Sequence, residues 1–178
     1  MNTYIALLKG INVGGHKKVP MAELRELLTK YGFQNVQTYI QSGNVILQSS
    51  EKSLQKNEET IKKSILDYFG FDVSVLVKTR KDLKRIFNDS PFFEDKKKAS
   101  YFMMLHDTPS EELVRIASEK VYEGEEYKIN KDCIYYFSAK GFGQSKFNAN
   151  FFERKLKTFA TARNYNTMVK LLSLSAEN

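Results

Sequence analysis

Residues 4–18 read YIALLKGINVGGHKK, and the interpretation of the whole chain starts from them. The first six residues are almost entirely apolar, which is typical of a strand buried on both faces of a sheet. Three glycines, a histidine and two lysines follow directly, and Pro20 then favours the start of a helix. A strand that ends in such a loop leaves unpaired backbone N–H groups beside positive charge, and anion binding requires both.

The chain up to residue 79 alternates between helical and strand periodicity. Helices are predicted at residues 20–31 and 54–70, and further strands at residues 35–41, 44–48 and 71–79. The Ser42-Gly43 pair makes a tight turn between the first two of these strands. The resulting order, βαββαβ, is that of a ferredoxin-like fold.

This topology has a consequence for the glycine loop. Its first and third strands lie side by side at the centre of the sheet and run antiparallel. Segments 10–18 and 41–44 are therefore expected at one edge, where amide and hydroxyl side chains lie beside the loop. The ligand-binding residues predicted at this edge are Lys9, Gly10, Asn12, Gly14, Gly15, Lys17, Lys18, Gln41, Ser42 and Asn44.

The rest of the chain is less regular but still mixes helices and strands. Its predicted elements are a short helix at 82–87, a strand at 101–106, a helix from the capping box 108–111 to about 121, a hairpin of 126–129 with 133–138, and helices at 151–156 and 165–174. In the capping box, Pro109 is predicted as the first helical residue. The βαβ echo within residues 101–138 leaves open a diverged duplication of the first half.

The predicted fold class is therefore α+β. A ferredoxin-like subdomain is expected over residues 1–80, and a second, smaller α+β subdomain with the C-terminal helices over residues 81–178. Because strand one is apolar on both faces, we expect the second subdomain to pack against the first sheet.

Two later segments could add to an anion site. Residues 141–146 (GFGQSK) place glycines, the Ser145 hydroxyl and Lys146 ahead of a helix, which are the parts of a phosphate cradle. They match neither the Walker A sequence nor the dinucleotide fingerprint, and a glycine-containing hairpin exit followed by a capped helix is the favoured explanation. In residues 161–167 (TARNYNT), Asn164 is a candidate N-cap, and Arg163 offers a planar fork for a carboxylate or phosphate. The alternative is that Arg163 pairs with a structural acid and Tyr165 packs in the core.

Composition limits the class of protein. The 178 residues carry a formal net charge of +7, one cysteine and two histidines, so an internal disulfide is excluded and a structural zinc site is disfavoured. No run is apolar enough to span a membrane and no signal peptide is recognised, so a cytoplasmic protein is expected.

The charge is unevenly distributed along the chain. Basic residues gather at 16–18, 78–85, 96–98 and 140–163, whereas acids dominate 107–132. Such a charge distribution attracts polyanions or phosphorylated molecules, or is simply a solvated surface.

Five segments carry a resemblance to a known family. They are IALLKGINVGGHKKVPMAEL at 5–24, TYIQSGNVIL at 38–47, GFGQSKF at 141–147, FFERKL at 151–156 and TARNYNTMVKLL at 161–172. On these segments the chain resembles the bacterial family of domains of unknown function numbered 1697. The resemblance implies an α+β protein with a ferredoxin-like portion, and it implies no reaction. Lys9 stands where the family pattern has arginine, and Tyr165 where it has tryptophan; lysine lacks the bidentate fork, and tyrosine offers a smaller stacking face.

Enzyme motifs are weak. His106 with Asp107 could form a general-base pair, but it ends a strand directly before a helix cap, which favours a structural role. Ser42 or Ser145 lacks a nucleophile elbow. The third strand lacks the aromatic, basic motif with which ferredoxin-like RNA-recognition domains stack bases.

The leading hypothesis is a cytosolic protein that binds an anionic small molecule or a nucleic-acid backbone at the glycine edge, without metal or cofactor. The first alternative is a small metal-free enzyme that acts on a phosphorylated ligand, with Lys17, Lys18 and Arg163 stabilising charge and His16 carrying a proton. The second is a protein-interaction module with no small ligand.

Overall fold

Strand β1 (Asn2–Leu8) is a central strand of the first of two four-stranded sheets in the computed structural model, which describes residues 1–177. The chain divides into two compact units. The first comprises residues 1–83 with the end of the chain from Lys170, and the second comprises residues 84–169. The division at residue 80 and the packing of one half against the other stay predictions.

The first unit has the predicted βαββαβ order. After β1 come α1 (Met21–Lys30), β2 (Gln34–Tyr39), β3 (Asn44–Ser49), α2 (Leu54–Phe69) and β4 (Val75–Thr79). The sheet order is β2-β3-β1-β4 with all pairs antiparallel, and Leu7 of β1 faces Asn44 of β3. The ferredoxin-like topology and the adjacency of strands one and three are confirmed.

Both faces of β1 are buried, as its apolar sequence predicts. Tyr4, Ala6 and Leu8 share a core with Leu24 and Leu28 of α1 and with residues of α2. Ile5 and Leu7, which alternate with them, are also fully buried. Helix α2 begins at the N-cap Ser53, whose hydroxyl accepts a hydrogen bond from the Lys56 N–H, and it ends at Gly70 in the left-handed conformation.

Strand β4 is shorter than predicted because backbone carbonyls within residues 71–74 accept hydrogen bonds from the glycine loop. The Ser74 carbonyl accepts a hydrogen bond from the Lys9 N–H (3.0 Å), and the Asp72 carbonyl accepts one from Lys17 Nζ (2.7 Å). The alternating valines that predict a strand from residue 71 therefore form one only from Val75.

The remainder of the chain repeats the βαββαβ order. Its elements are α3 (Arg80–Asn88), α4 (Glu94–Lys98), β5 (Tyr101–Leu105), α5 (Glu111–Ala117), β6 (Glu125–Asn130), β7 (Cys133–Ser138), α6 (Ala149–Leu156), β8 (Ala160–Asn164) and α7 (Tyr165–Glu177). The second sheet has the order β6-β7-β5-β8, which is the order of the first sheet shifted along the chain. Within residues 1–177 no helix is both long and apolar enough to cross a membrane.

The structure of this part differs from the sequence prediction in three places: two elements were not predicted, and the bounds of a third were wrong. Strand β8 was not predicted, since ATARN has no apolar alternation; it forms by pairing with β5, where Arg163 faces Phe102. Helix α4 was also missed. Helix α5 begins two residues later than the capping box predicts, because the Ser110 hydroxyl and not that of Thr108 accepts the first-turn hydrogen bond, from the Leu113 N–H. The helix ends at Ala117 and not near 121.

Candidate functional site at the glycine edge

The two polar segments predicted to meet do lie together. The Leu8 N–H donates to the Gly43 carbonyl (2.8 Å), and Asn12 Nδ2 donates to the Gln41 carbonyl (2.8 Å). We call residues 9–18 and 41–44 together the glycine rim. It is formed within the first unit by the loop that leaves β1 and the turn that enters β3.

The loop forms a small hairpin with Gly14 and Gly15 at its tip. The Asn12 N–H donates to the Lys17 carbonyl (3.1 Å), and the His16 N–H donates to the Val13 carbonyl (3.0 Å). Gly14 and Gly15 have φ of 58° and 78°, as a type I′ turn requires, and such a turn favours glycine at both positions. Within residues 1–177, no group accepts a hydrogen bond from the N–H of Gly14 or Gly15.

Asn12 holds the hairpin to the rest of the rim. Its Nδ2 also donates to the Val19 carbonyl (3.0 Å), and its Oδ1 accepts from the Val19 N–H (2.8 Å). Asn12 has a φ of 55°, a left-handed conformation that asparagine tolerates better than most residues. Its side chain is thus engaged by the backbone, so the structure gives it a positioning role in the rim.

Asn44 and Ser42 stabilise the turn in a similar way. Asn44 is fully buried, and its Nδ2 donates to the Tyr39 carbonyl (3.0 Å) and to the Ser42 hydroxyl (2.9 Å). The Gln41 side chain is exposed, although the Gln41 carbonyl is bound by Asn12. Of the three residues predicted here as donors and acceptors, Gln41 and Ser42 are exposed and Asn44 is buried.

The cationic residues of the rim face solvent. His16, Lys17 and Lys18 are exposed, and Lys9 is half-buried. Lys17 adopts a left-handed φ of 47°, and its ammonium group donates to the Asp72 carbonyl. Lys18 has no carboxylate partner in the part of the chain that the structure describes. Gly10, at φ 69°, lets the chain turn out of β1 into this loop.

Two apolar side chains, one in the rim and one directly before its second segment, are also exposed. Val13 in the hairpin is 65% exposed, and Ile40 in the turn is 51% exposed. Sequence reasoning assigned neither side chain to the site and missed the carbonyl of Asp72; it placed Gly43 at this edge without naming it as a ligand-binding residue. The signal for Gly43 was present in the Ser42-Gly43 turn, whereas the contribution of Asp72 depends on where β4 begins, which the valine pattern misplaces.

Ser145 and Lys146 lie in the second unit, in a loop that contains a short 3-10 turn, Phe142–Gln144. The Ser145 hydroxyl accepts hydrogen bonds from the Tyr136 hydroxyl and from the Phe147 N–H (2.9 Å). The Lys146 N–H donates to Glu125 Oε1 (2.7 Å), and its side chain is exposed. Helix α6 starts only at Ala149 with Asn148 as its N-cap, so the glycine segment does not open directly into a helix as a phosphate cradle would.

Arg163 and Asn164 also belong to the second unit. Arg163 is only 7% exposed, and its Nη1 donates to the Thr161 hydroxyl (2.7 Å) and the Ala162 carbonyl (2.8 Å). Burial lowers the pKa of its guanidinium to about 10, so the group stays charged at neutral pH. Asn164 Oδ1 accepts from the Thr167 N–H (2.9 Å), which confirms it as the N-cap of α7. The Arg163 fork is therefore held inside the protein and not presented to solvent.

The candidate general-base pair has structural partners. His106 Nδ1 lies 2.9 Å from Asp107 Oδ2, and the His106 ring stacks on Phe159 at 4.7 Å. The Thr158 hydroxyl donates to the same Asp107 oxygen and accepts from the Asp107 N–H. These contacts join the end of β5 to the turn before β8, which favours the structural role for the pair. Across residues 1–177, no three His, Cys, Asp or Glu side chains are grouped as metal ligands.

Comparison with known proteins gives a family and a fold. Among solved structures, one described as a conserved bacterial protein from Streptococcus pneumoniae is similar to this chain, with 25% identity, 99% of each chain covered and a TM-score of 0.78. No curated protein matches the chain. The model of the family described as "Protein of unknown function (DUF1697)" matches residues 1–135, about three quarters of the sequence, and the chain therefore belongs to that family.

Proposed function

We propose that the glycine rim binds an anionic group, either a phosphate on a small molecule or the phosphate backbone of a nucleic acid. The observation that carries the proposal is the hairpin tip. It presents the N–H groups of Gly14 and Gly15 to solvent beside the exposed side chains of His16 and Lys18. Backbone N–H groups and cations in one place are what anion sites use.

Hydrogen bonds within the chain hold the hairpin in place without a ligand, which supports the proposal. Asn12 ties it to both Val19 and Gln41, and Lys17 ties it to Asp72. A loop that is already ordered loses little conformational entropy when it binds. Lys17 in the left-handed region costs on the order of 1–3 kcal/mol, and such conformations cluster at binding sites.

The charge around the rim has the required sign. Residues 1–22 contain three lysines and no aspartate or glutamate. Like charges placed together raise the local positive potential and attract anions, and this attraction weakens as salt is added.

The test compares Lys18→Ala with Lys52→Ala. Lys52 is also exposed, but it follows the far end of β3, away from the rim. Inorganic phosphate, pyrophosphate and a single-stranded oligonucleotide serve as probes, with the amide signals of Gly14 and Gly15 followed by NMR. We expect shifts of these two signals in the wild type and Lys52→Ala, and weaker binding in Lys18→Ala. For the oligonucleotide, losing one phosphate contact lowers the logarithmic salt slope by about 0.7.

Two outcomes would contradict the proposal. Signals of Gly14 and Gly15 that stay unchanged with all three probes would remove the site, and equal binding by the two lysine variants would remove the role of the rim cation. Turnover of a phosphorylated probe that is lost in His16→Asn, with binding retained, would assign the rim to catalysis, since proton transfer contributes roughly 10²–10⁴-fold in rate.

A further inference from the structure

A second basic surface lies in the second unit, on helix α6. Phe151 of α6 is half-buried, and two lysine ammonium groups lie near its ring. Lys120 Nζ, from the segment after α5, and Lys155 Nζ, from α6 itself, each lie 5.9 Å from the Phe151 ring centroid. Arg154 is the exposed neighbour of Lys155 on the same helix.

These cations are not neutralised locally. Among the described residues, none of Lys120, Arg154 and Lys155 forms an ion pair with a carboxylate. The nearest acid on the helix is Glu153, whose Oε1 instead accepts a hydrogen bond from the Ala160 N–H at 2.7 Å. The surface thus combines several free cations with an aromatic ring, and electrostatic attraction to an anion is expected there.

Two open depressions adjoin on this surface and share Arg154. One, of about 470 Å³, is lined by Phe151, Arg154 and Lys155. The other, also about 470 Å³, is lined by Asn148, Asn150, Glu153 and Arg154. The first offers a ring face with two cations, and the second offers amide groups that can both donate and accept hydrogen bonds.

We infer that this α6 surface binds single-stranded nucleic acid, with a base stacked on Phe151 and phosphates held by Arg154 and Lys155. Stacking on an aromatic side chain beside cations that follow the backbone is the usual chemistry of single-strand binding. The Asn150 amide, in the adjoining depression, is placed for the edge of the next base. Every residue of the α6 surface belongs to the second unit, so it shares no residue with the glycine rim.

The test is fluorescence anisotropy with a labelled twelve-nucleotide oligo(U). Arg154→Ala and Lys155→Ala should each weaken binding and lower the logarithmic salt slope by about 0.7. Lys128→Ala is the matched control, because Lys128 is exposed on β6 and alternates with Tyr127 and Ile129, which face the helices. It should leave the salt slope unchanged.

The contribution of stacking is tested at Phe151. Phe151→Leu should weaken oligo(U) binding about five- to a hundredfold, whereas Phe151→Tyr, which keeps a ring, should bind nearly as the wild type does. If Phe151→Leu lowers the melting temperature, the tyrosine variant and the Arg154 variant still carry the test.

Three results would overturn the inference. The first is a salt slope for Arg154→Ala equal to that of Lys128→Ala. The second is that tripolyphosphate displaces the labelled oligonucleotide as well, per phosphate, as unlabelled oligo(U) does, because the bases would then contribute nothing to binding. The third is loss of binding in Phe151→Tyr as large as in a well-folded Phe151→Leu. Repeating the oligo(U) titrations with Lys18→Ala distinguishes the two sites. If the logarithmic salt slope falls in Lys18→Ala but not in Arg154→Ala, the oligonucleotide binds at the rim and the inference is wrong.

Discussion

At the scale of single residues, backbone conformation and close contacts in the glycine rim restrict which residue types can occupy a position. Gly43 has a φ of 80°, and a Cβ added to it would lie 2.7 Å from Leu8 Cβ and 3.0 Å from Ile11 Cδ1. Its carbonyl also accepts from the Leu8 N–H. Two features of this position therefore require glycine: the left-handed conformation, and the close approach of the turn to β1.

Gly43→Ala should lower the free energy of unfolding by about 2–5 kcal/mol, the sum of a left-handed conformation and an overpacked contact. Gly32→Ala is the control, because Gly32 has a φ of 95° but nothing within 4 Å of its added Cβ. It should cost only about 1–2 kcal/mol. Urea denaturation of the two variants measures the difference, and equal losses would show that the contact with Leu8 does not matter.

Asn12→Asp tests the attachment of the hairpin. The carboxylate can still accept from the Val19 N–H, but it faces the carbonyls of Val19 and Gln41, to which the amide donated. We expect a loss of about 1–3 kcal/mol in the free energy of unfolding, because two bonds are replaced by repulsion. The same substitution at the exposed Asn166 should change stability by less than about 0.5 kcal/mol. Similar losses at both sites would contradict the positioning role of Asn12.

At the scale of elements, β8 and α7 follow each other directly in the chain, and one residue contributes to both. Asn164 is the last residue of β8 and faces Tyr101 of β5, and its side chain caps α7 through the Thr167 N–H. The N-cap residue has the extended conformation that also suits the end of a strand, so the two roles are compatible. The same segment holds Arg163 inside the protein.

Asn164→Ala should cost about 1 kcal/mol of stability, because the Thr167 N–H loses its acceptor. Asn164→Asp should retain that stability, since a carboxylate accepts the same bond and is favoured at the N-terminus of a helix. Thermal unfolding of the two variants provides the measurement. An aspartate variant that loses as much as the alanine variant would show that the cap contributes nothing.

At the scale of the whole molecule, the chain uses one sheet order twice and carries an excess of positive charge. The net charge of +7 includes the rim in the first unit and the α6 surface in the second. Residues without shared partners act additively. The rim and the α6 surface have no residue in common.

The combined variant Lys18→Ala with Arg154→Ala should therefore show each single loss unchanged: the weaker phosphate binding of Lys18→Ala, read at the amide signals of Gly14 and Gly15, and the logarithmic salt slope for oligo(U) lowered by about 0.7 as in Arg154→Ala alone. Titration of the single and double variants across a range of salt concentrations measures this. A double variant no weaker than Lys18→Ala alone would mean that Arg154 takes no part in binding.

Local periodicity and local residue chemistry were enough to predict several features of the protein. Apolar alternation and helical spacing predicted the βαββαβ order of the first unit, and the Ser42-Gly43 turn predicted where β3 begins. Because the topology follows from that order, the meeting of segments 10–18 and 41–44 was also predictable. The N-cap role of Asn164 followed from residue type and position alone.

Contacts between distant segments, in contrast, determine which predicted side chains of the site are engaged by the protein itself. Asn12 and Asn44 have the chemistry of ligand-binding residues, yet they bind backbone carbonyls that other segments bring to them. Strand β8 has no apolar alternation and exists because β5 offers it a partner, and this pairing takes Arg163 out of solvent. The physical reason is that local patterns determine which elements form, whereas hydrogen-bond partners and burial depend on segments far apart in the chain.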